Sequence, residues 1–275
     1  MDPQAAAQGA PEGRSRSLER LLPPGPSAPI PQLIEWMGMW EREQRRRPRP
    51  HVRLNMVSSL DGRATLRGHS GPLSDPSDRE LFHALRVPVD AVLVGAGTVR
   101  AERYGRLLSD AAQRRERLAR GLPEEPLACI VSGRLELDED IGLLREPSAR
   151  VVLITSSSAS LPAAAAQVEY LREPGGGRVQ LARALAELLA RYDVRSVLCE
   201  GGPHLARELL AEGLVDELLL TLSPLLAGGE PASGEALRIL AGEELEQPCR
   251  VELAGVLRGE STLFLRYAVV SAERV

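Results

Sequence analysis

The sequence predicts an α/β protein with a mixed, mostly parallel sheet that is flanked by helices and closed by an antiparallel C-terminal hairpin. Short apolar runs alternate with helical stretches through the middle of the chain, which is typical of parallel strands joined by crossover helices. Two of these runs end in glycine turns, at 94–98 and 200–203. The last two apolar runs, at 250–258 and 261–270, have no helix between them, so we expect them to pair as a hairpin.

The N-terminal part of the chain is expected to stand apart from the main domain. Residues 1–30 are rich in proline, glycine, alanine and serine, which predicts a disordered or loosely docked tail. Residues 31–50 are expected to form a short helix and a linker, because apolar residues recur at helical spacing from Leu33 to Trp40. The alternative for this helix is a partner-binding segment, since a run of arginines follows it. The main domain is then expected over residues 51–270.

Within the main domain, each predicted element follows from its periodicity or its cap. The expected strands before the final hairpin lie at 52–57, 90–94, 127–132, 151–155, 195–199 and 216–223. An aspartate at the N-cap and a proline at the first helical position indicate a helix over 75–87. The clearest helix spans 179–192, where leucines form one stripe. A further helix, over 203–212, follows the second glycine turn.

Composition and charge exclude several classes of protein. The net charge is −4 and aromatic residues make up 3% of the chain, so the sequence offers neither a basic footprint nor stacking platforms for nucleic acid. The sequence contains no lysine, which excludes a Walker-type phosphate loop and a Schiff-base mechanism. We therefore expect no nucleic-acid partner and no chemistry that depends on lysine.

The cysteines and the hydropathy of the chain predict its redox state, metal binding and cellular compartment. Cys129, Cys199 and Cys249 are far apart in sequence, and no histidine or cysteine spacing is typical of a metal site. We expect free thiols, no bound metal and a cytoplasmic protein. No apolar run is long enough to span a membrane and no export signal is visible, so no membrane association is expected.

The two glycine turns are the strongest chemical signal in the sequence. Glycine allows a tight turn and lets the backbone come close to a ligand. A helix that begins just after such a turn presents unpaired N–H groups and the positive end of its dipole. Two such turns at the carboxyl ends of parallel strands predict a cradle for a phosphorylated cofactor. We expect the strands that end at Val94 and Cys199 to be neighbours that open on one cleft.

Four segments, at 55–62, 85–99, 200–202 and 215–224, together resemble the pyrimidine reductase domain of bacterial riboflavin biosynthesis. The first reads NMVSSLDG, the second includes GAGTV, and the third is EGG. The order and spacing of the four segments make the resemblance more specific than a single glycine turn. It extends over about 50–267.

The resemblance implies an NADPH-dependent oxidoreductase that reduces the ribosyl group of 5-amino-6-(5-phosphoribosylamino)uracil to ribityl by hydride transfer. It also implies a dihydrofolate-reductase-like fold, a homodimer, and a cis peptide bond between Gly201 and Gly202. Bifunctional members of the family carry a zinc deaminase motif, which this sequence lacks, so a stand-alone reductase is expected.

The same resemblance implies roles for individual residues. Asp61 and Glu200 are implied as catalytic residues, with the Asp61 carboxylate lining the pocket to orient the substrate or relay a proton. The substrate is expected to contact Ser70, Arg86 and Glu200, and the guanidinium of Arg86 suits bidentate recognition of its phosphate. The residues expected to contact the cofactor are Val57, Gly95, Gly97, Thr98, Glu102, Ser132, Arg134, Gly201 and Gly202.

Three of these assignments have structural alternatives. Asp61 precedes a glycine, and Asp-Gly is an ordinary turn pair. Arg86 lies near the expected C-terminus of a helix, where it would also complement the helix dipole. Arg134 is expected to contact the 2′-phosphate that distinguishes NADPH from NADH, but an exposed loop arginine would fit the same position.

The sequence departs from the family in two places that should touch ligands. Gly71-Pro72-Leu73 replaces a Trp-Ile-Thr step, and Glu102-Arg103-Tyr104 replaces an acidic pair followed by proline. These departures keep two other functions open. One is a dihydrofolate or pteridine reductase of the same fold, and the other is a non-catalytic nucleotide-binding protein.

Overall fold

The computed structural model describes residues 15–41, 47–138, 140–162, 164–173, 177–229 and 237–270. Its strands are β1 (Ser17–Leu22), β2 (Pro24–Pro29), β3 (His51–Ser59), β4 (Ala91–Gly95), β5 (Leu127–Val131), β6 (Arg150–Thr155), β7 (Gln167–Arg172), β8 (Ser196–Cys199), β9 (Glu217–Ser223), β10 (Val251–Gly259) and β11 (Thr262–Val269). Its helices are α1 (Ile30–Trp36), α2 (Pro76–Leu85), α3 (Ala96–Ala101), α4 (Ala111–Ala119), α5 (Gly142–Arg145), α6 (Leu181–Tyr192) and α7 (Pro203–Ala211). The expectations for 1–14 and 42–46 lie outside the described residues.

The strands form one mixed sheet in the order β2-β1-β10-β11-β9-β3-β8-β4-β5-β6-β7. Every neighbouring pair from β9 to β7 in this order is parallel. The remaining strands continue the sheet with antiparallel pairs, beginning with β9 and β11. The predicted α/β fold, with a mostly parallel sheet and an antiparallel C-terminal hairpin, is confirmed.

Helices cover both faces of the sheet. On one face, the leucine stripe of α6 and the apolar side of α7 bury Leu188 and Leu209 against strand residues such as Val197. On the other face, α1 and α2 bury Leu33 and Leu85 in a second apolar cluster. The parallel strands are buried on both faces, which explains why they are continuous apolar runs rather than alternating ones.

The expectation of a loosely docked tail is wrong for residues 17–29. β1 and β2 form a hairpin there, and β1 pairs with β10, so the sheet continues past the C-terminal hairpin. Leu18 on β1 is fully buried. A composition rich in proline disfavours an isolated strand, but hydrogen bonds to the edge of β10 and burial of Leu18 stabilise it through tertiary contacts. The other boundaries of the domain division stay a prediction.

The strand β7 does not appear among the sequence predictions. It lies at the edge of the sheet beside β6, where Gln167 and Glu169 face solvent. Polar residues therefore interrupt its apolar pattern, and only Leu171 is buried. Edge strands carry a weaker hydrophobic signal than central ones, which accounts for the omission.

Membrane spans, metal sites and disulfides can be checked within the described ranges. None of the helices there is long and apolar enough to cross a bilayer, and no three His, Cys, Asp or Glu side chains are grouped to hold a metal ion. Cys129, Cys199 and Cys249 are free thiols. Burial raises the pKa of Cys199 to about 12, so this thiol is not a nucleophile near neutral pH.

Candidate active site

The two glycine turns lie side by side. β4 and β8 are parallel neighbours, which confirms the prediction that the strands preceding the turns adjoin. The backbone N–H of Gly95 donates to the carbonyl oxygen of Gly201 at 2.7 Å, so the turns are joined directly. The peptide bond between Gly201 and Gly202 is cis, as the resemblance implies.

The space around these glycines shows why the turns need them. A Cβ atom at Gly202 would lie 2.6 Å from Oγ1 of Thr98, so a side chain there would collide with the other turn. A Cβ at Gly97 would meet no described atom within 4 Å, which shows that this position borders open space. Gly202 is also the N-cap of α7 and makes no side-chain cap bond. The amide groups at the start of α7 are therefore suited to an anionic ligand such as a phosphate.

A groove of 250 Å³ borders the first turn and the end of β5. Four of the residues predicted to contact the cofactor line it: Gly95, Gly97, Ser132 and Arg134. The side chain of Arg134 is 83% exposed and forms an ion pair with Glu136 at 2.9 Å. An exposed ion pair is weakly held, so the guanidinium can turn to a ligand in the groove at little cost.

A larger cavity of 380 Å³ also borders the turns and lies between α2, the end of β3 and the segment that follows α3. The predicted site residues in its lining are Val57, Ser70, Arg86, Thr98, Glu102, Glu200 and Gly202. Together, the groove and the cavity bring together all the predicted site residues except Asp61 and Gly201.

A buried cluster in the cavity wall is centred on Glu200. Nε of Arg86 donates to Oε1 of Glu200 at 2.7 Å, and Nη2 donates to Oε2 at 2.8 Å. The hydroxyl of Tyr104 donates to the same Oε2 at 2.5 Å. Burial alone would lower the pKa of Arg86, but the ion pair with Glu200 outweighs it and raises this pKa. Burial and the charge of Glu200 also raise the pKa of Tyr104, so its hydroxyl stays protonated.

The structure corrects the expectation that Arg86 grips the substrate phosphate. Its planar guanidinium already makes the bidentate contact, but with Glu200, and its Nη1 donates to the carbonyl oxygen of Leu107 at 3.0 Å. The guanidinium carbon also lies 4.4 Å from the ring centre of Phe82. With its side chain 6% exposed, Arg86 is a wall residue at the C-cap of α2. A phosphate would have to displace a buried, charge-assisted pair to reach it.

Asp61 also differs from its expected position. Its carboxylate accepts hydrogen bonds from the hydroxyl of Ser59 at 2.5 Å and from the backbone N–H of Gly228 at 2.6 Å. These bonds hold the loop after β3 against the loop after β9, and Asp61 lines neither the groove nor the cavity. The Ser59 bond, followed by the Ala227 and Gly228 amide bonds, lowers the pKa of Asp61. A carboxylate stabilised in its charged form does not suit a proton relay.

Ser70 and Glu102 are brought into direct contact. Oε1 of Glu102 accepts hydrogen bonds from the backbone N–H of Ser70 at 2.7 Å and from its hydroxyl at 3.0 Å. This pair ties the loop before α2 to the end of α3 across the mouth of the cavity. The sequence resemblance assigned the two residues to different ligands, whereas in the structure they form one contact.

Several cavity residues were not predicted as site residues. They include Asp78, Arg79, Phe82 and His83 on α2, and Arg103 and Tyr104 after α3. The sequence shows Asp78 as an acidic residue in the first turn of a helix, where its ordinary function is to complement the helix dipole. One sequence feature could have revealed a changed cavity wall: Tyr104 stands where the family usually has a proline.

Known proteins share this architecture and sequence. The model of the RibD C-terminal domain family matches residues 50–262. The 2,5-diamino-6-ribosylamino-4(3H)-pyrimidinone 5′-phosphate reductase of Archaeoglobus fulgidus is 29% identical over 208 residues, covering 74% of this chain and 92% of that protein. The enzyme of the same name from Methanothermobacter thermautotrophicus is 27% identical over 228 residues, covering 80% of this chain and 99% of that protein.

A solved structure agrees with these relatives. The crystal structure of a pyrimidine reductase-like protein from Corynebacterium diphtheriae superposes with a TM-score of 0.69 at 27% identity. The match covers 81% of this chain and 92% of that one. The similarity therefore extends over most of both chains rather than one motif.

Proposed function

This chain belongs to the RibD C-terminal domain family, and we propose that its cleft uses NADPH to reduce a 5′-phosphorylated ribosylaminopyrimidine to the ribitylamino compound. The chain is an oxidoreductase of the pyrimidine phosphate reductase type in riboflavin biosynthesis. The substrate in the names of its relatives carries an amino group at C2 of the pyrimidine. The uracil compound implied by the sequence resemblance carries an oxygen there, and both are candidate substrates.

The observation that carries this proposal is the pair of joined glycine turns, which has the groove on one side and the cavity on the other. A nicotinamide dinucleotide is long and has a phosphorylated centre, whereas the substrate is compact. The groove along Gly97 and Ser132 suits the dinucleotide, and the cavity between α2 and β3 suits the pyrimidine. Thr98 borders the cavity and belongs to the first turn, so the two ligands would meet there. Holding two reactants in contact is the main contribution of a protein to hydride transfer.

The residues present fit a nicotinamide cofactor along this path. The bound cofactor supplies the hydride. The open space at Gly97 and the N-terminus of α7 would hold its pyrophosphate. Val57 at the end of β3 lies where its backbone would contact the nicotinamide amide. Ser132 and Arg134 lie at the far end of the groove, where a guanidinium would favour the 2′-phosphate of NADPH over NADH.

The substrate phosphate needs a cation other than Arg86. Arg79 on α2 and Arg103 after α3 line the cavity, and both are exposed at its rim. Nη2 of Arg79 donates to the carbonyl oxygen of Ser74 at 3.0 Å, an exposed bond that a phosphate can replace. We assign the phosphate to these two arginines. We assign Glu200 the same wall role as Arg86, because its side chain is 1% exposed and both of its oxygens accept hydrogen bonds within the wall.

Turnover measurements with alternative substrates test the proposed function. The purified protein is mixed with NADPH and, separately, with the 2-amino pyrimidine phosphate, the 2-oxo pyrimidine phosphate and dihydrofolate. We expect oxidation of NADPH with a pyrimidine phosphate, faster than with NADH, and a product heavier by two hydrogens. Turnover of dihydrofolate alone would support the pteridine reductase alternative. Tight NADPH binding without turnover of any substrate would support a non-catalytic nucleotide-binding protein.

We further propose that the protein is a cytoplasmic homodimer. Two neighbouring strands, β1 and β10, expose Leu22 and Leu253, which are 38% and 46% exposed. Apolar side chains of this size on adjacent strands suit a contact with a second copy. The expected mass in solution is twice that of the chain, and Leu253→Glu should shift it to the monomer. A monomeric wild-type protein would remove the dimer from the proposal.

A further inference from the structure

We propose that Asp78 is the acid that protonates the substrate during reduction, an inference that rests on the proposed function. Four carboxylates were candidates: Asp61, Asp78, Glu102 and Glu200. Asp61 lies outside the cavity. Glu102 accepts from the backbone N–H of Ser70, a group that can only donate, whereas the partners of Asp78 are hydroxyls, which can also accept from a protonated carboxyl group. Both oxygens of Glu200 accept hydrogen bonds from Arg86, so this carboxylate is already engaged in a buried ion pair.

The position of Asp78 suits contact with the reacting atoms. It lies in the first turn of α2, is 7% exposed and lines the cavity. Its Oδ1 accepts a hydrogen bond from the hydroxyl of Thr221 on β9 at 2.6 Å, and its Oδ2 accepts one from the hydroxyl of Ser74. Thr221 is the register partner of Val57 on β3, where we place the nicotinamide. Two hydroxyls thus hold the carboxyl group beside the strand position where we place the nicotinamide.

The burial of Asp78 favours its neutral form. Burial is the largest cause and raises its pKa, and the charge of Asp75 raises it further. The hydrogen bonds from Ser74 and Thr221 and the charge of Arg79 lower it, but the net direction is upward. A raised pKa leaves more of this carboxyl group protonated near neutral pH, which a proton donor requires.

The reaction needs such a donor for its atoms to balance. Reduction of the closed ribosylamine adds a hydride to C1′, and the bond between C1′ and the ring oxygen breaks. The electron pair of that bond stays on the ring oxygen, which must take a proton to become the new hydroxyl of the ribityl chain. Asp78 supplies this proton and is then reprotonated from solvent through the open cavity.

Substitution of Asp78 by asparagine tests the assignment. Asp78→Asn keeps the size of the side chain and removes the proton, so kcat for the pyrimidine phosphate should fall by about 10²–10⁴-fold. KM and the Kd for NADPH should change by less than about threefold, because the change affects the transition state. Glu80→Gln is the matched control, since Glu80 lies on the same helix and does not line the cavity. Equal kcat values for the two variants would overturn the proposal.

A second variant, Thr221→Val, changes the pKa of Asp78 without removing its carboxyl group. Wild-type kcat should fall as pH rises through the pKa of Asp78, since the donor must carry its proton. Thr221→Val removes a hydrogen bond that lowers this pKa, so the fall should move to higher pH. A merely structural Asp78 would leave the profile in place, and an unshifted profile would overturn the proposal even if Asp78→Asn fails to fold.

Carbon-13 NMR of the free protein separates this inference from the proposed function. Wild type should show a carboxyl signal that titrates above the ordinary aspartate range and that is absent from Asp78→Asn. Lack of this signal would overturn the inference. If the Asp78 carboxyl signal is present but wild type reduces no pyrimidine phosphate, the proposed function is wrong, and the role of Asp78 as the acid is wrong with it. If wild type reduces the pyrimidine phosphate but the signal is absent, only the role of Asp78 is wrong.

Discussion

The groove and the cavity on either side of the glycine turns are built in different ways. The groove depends on backbone: the turns are joined by the N–H of Gly95 and the carbonyl oxygen of Gly201, and a side chain at Gly202 would collide with Thr98. The cavity depends on paired side chains, above all Arg86 with Glu200, which lie 114 residues apart. A site built from backbone can be predicted from the sequence, because only glycine fits there. A site built from side-chain pairs cannot, because its partners are far apart in the sequence and meet only in the folded protein.

The largest expected effect comes from breaking the buried pair in the cavity wall. Arg86→Ala leaves Glu200 buried without its cation, so the free energy of unfolding should fall by about 3–5 kcal/mol. Urea denaturation measures this loss. The double variant Arg86→Met with Glu200→Gln should recover part of it, because no charge is then left unpaired. If Arg86→Ala keeps its stability and loses only phosphate recognition, the original phosphate assignment is correct and the wall role is wrong.

A smaller effect is expected from the exposed cations at the rim. Arg79→Ala and Arg103→Ala should each remove a charge-assisted contact of about 1.5–3 kcal/mol with the substrate phosphate. This corresponds to a loss of about 10- to 150-fold in kcat/KM for the phosphorylated substrate. Comparison with the dephosphorylated substrate is the control, since its kcat/KM should barely change. Equal losses for both substrates would place the phosphate elsewhere.

Substitution by alanine should affect fold stability at Gly202 and cofactor affinity at Gly97. Gly202→Ala should destabilise the fold by about 1–3 kcal/mol, because its Cβ overlaps Thr98, and Thr98→Ala in the same chain should relieve this. Gly97→Ala meets no described atom, so its thermal stability should match wild type while its Kd for NADPH rises. Calorimetry with NADPH measures both. Unchanged affinity in Gly97→Ala would mean that the cofactor does not approach this turn.

The smallest effect on catalysis is expected at Asp61. Asp61→Asn should keep kcat and lower the thermal midpoint near neutral pH, because its hydrogen bonds join two loops. The pKa of Asp61 is lowered in the fold, so its contribution is present above the ordinary aspartate pKa and is lost as pH falls. The difference in midpoint between wild type and variant should therefore shrink in acid. A large loss of kcat at neutral pH would restore the catalytic assignment.

The sequence was sufficient for the parts of the molecule that local chemistry determines. The apolar runs predicted the parallel strands, and the glycines at 95–97 and 201–202 predicted two adjacent turns, while the family resemblance implied the cis bond. It was insufficient where tertiary contacts decide. β1 is stabilised by pairing with β10, and Asp78 is buried by contact with Thr221, 143 residues away. Neither contact can be judged from spacing along the chain, so Asp78 looked like an ordinary first-turn acid although it lines the cavity.

A crystal structure of the protein with NADPH would show directly whether the cofactor lies along the glycine turns. We expect the pyrophosphate to lie against the turns at Gly97 and Gly202, with the nicotinamide ring beside Val57 and the adenosine end beside Ser132. We also expect the ion pair of Arg86 and Glu200 to keep the hydrogen bonds described above. A nucleotide bound away from both turns, or a guanidinium of Arg86 released from Glu200 to hold a phosphate, would contradict the division between a backbone groove and a side-chain cavity.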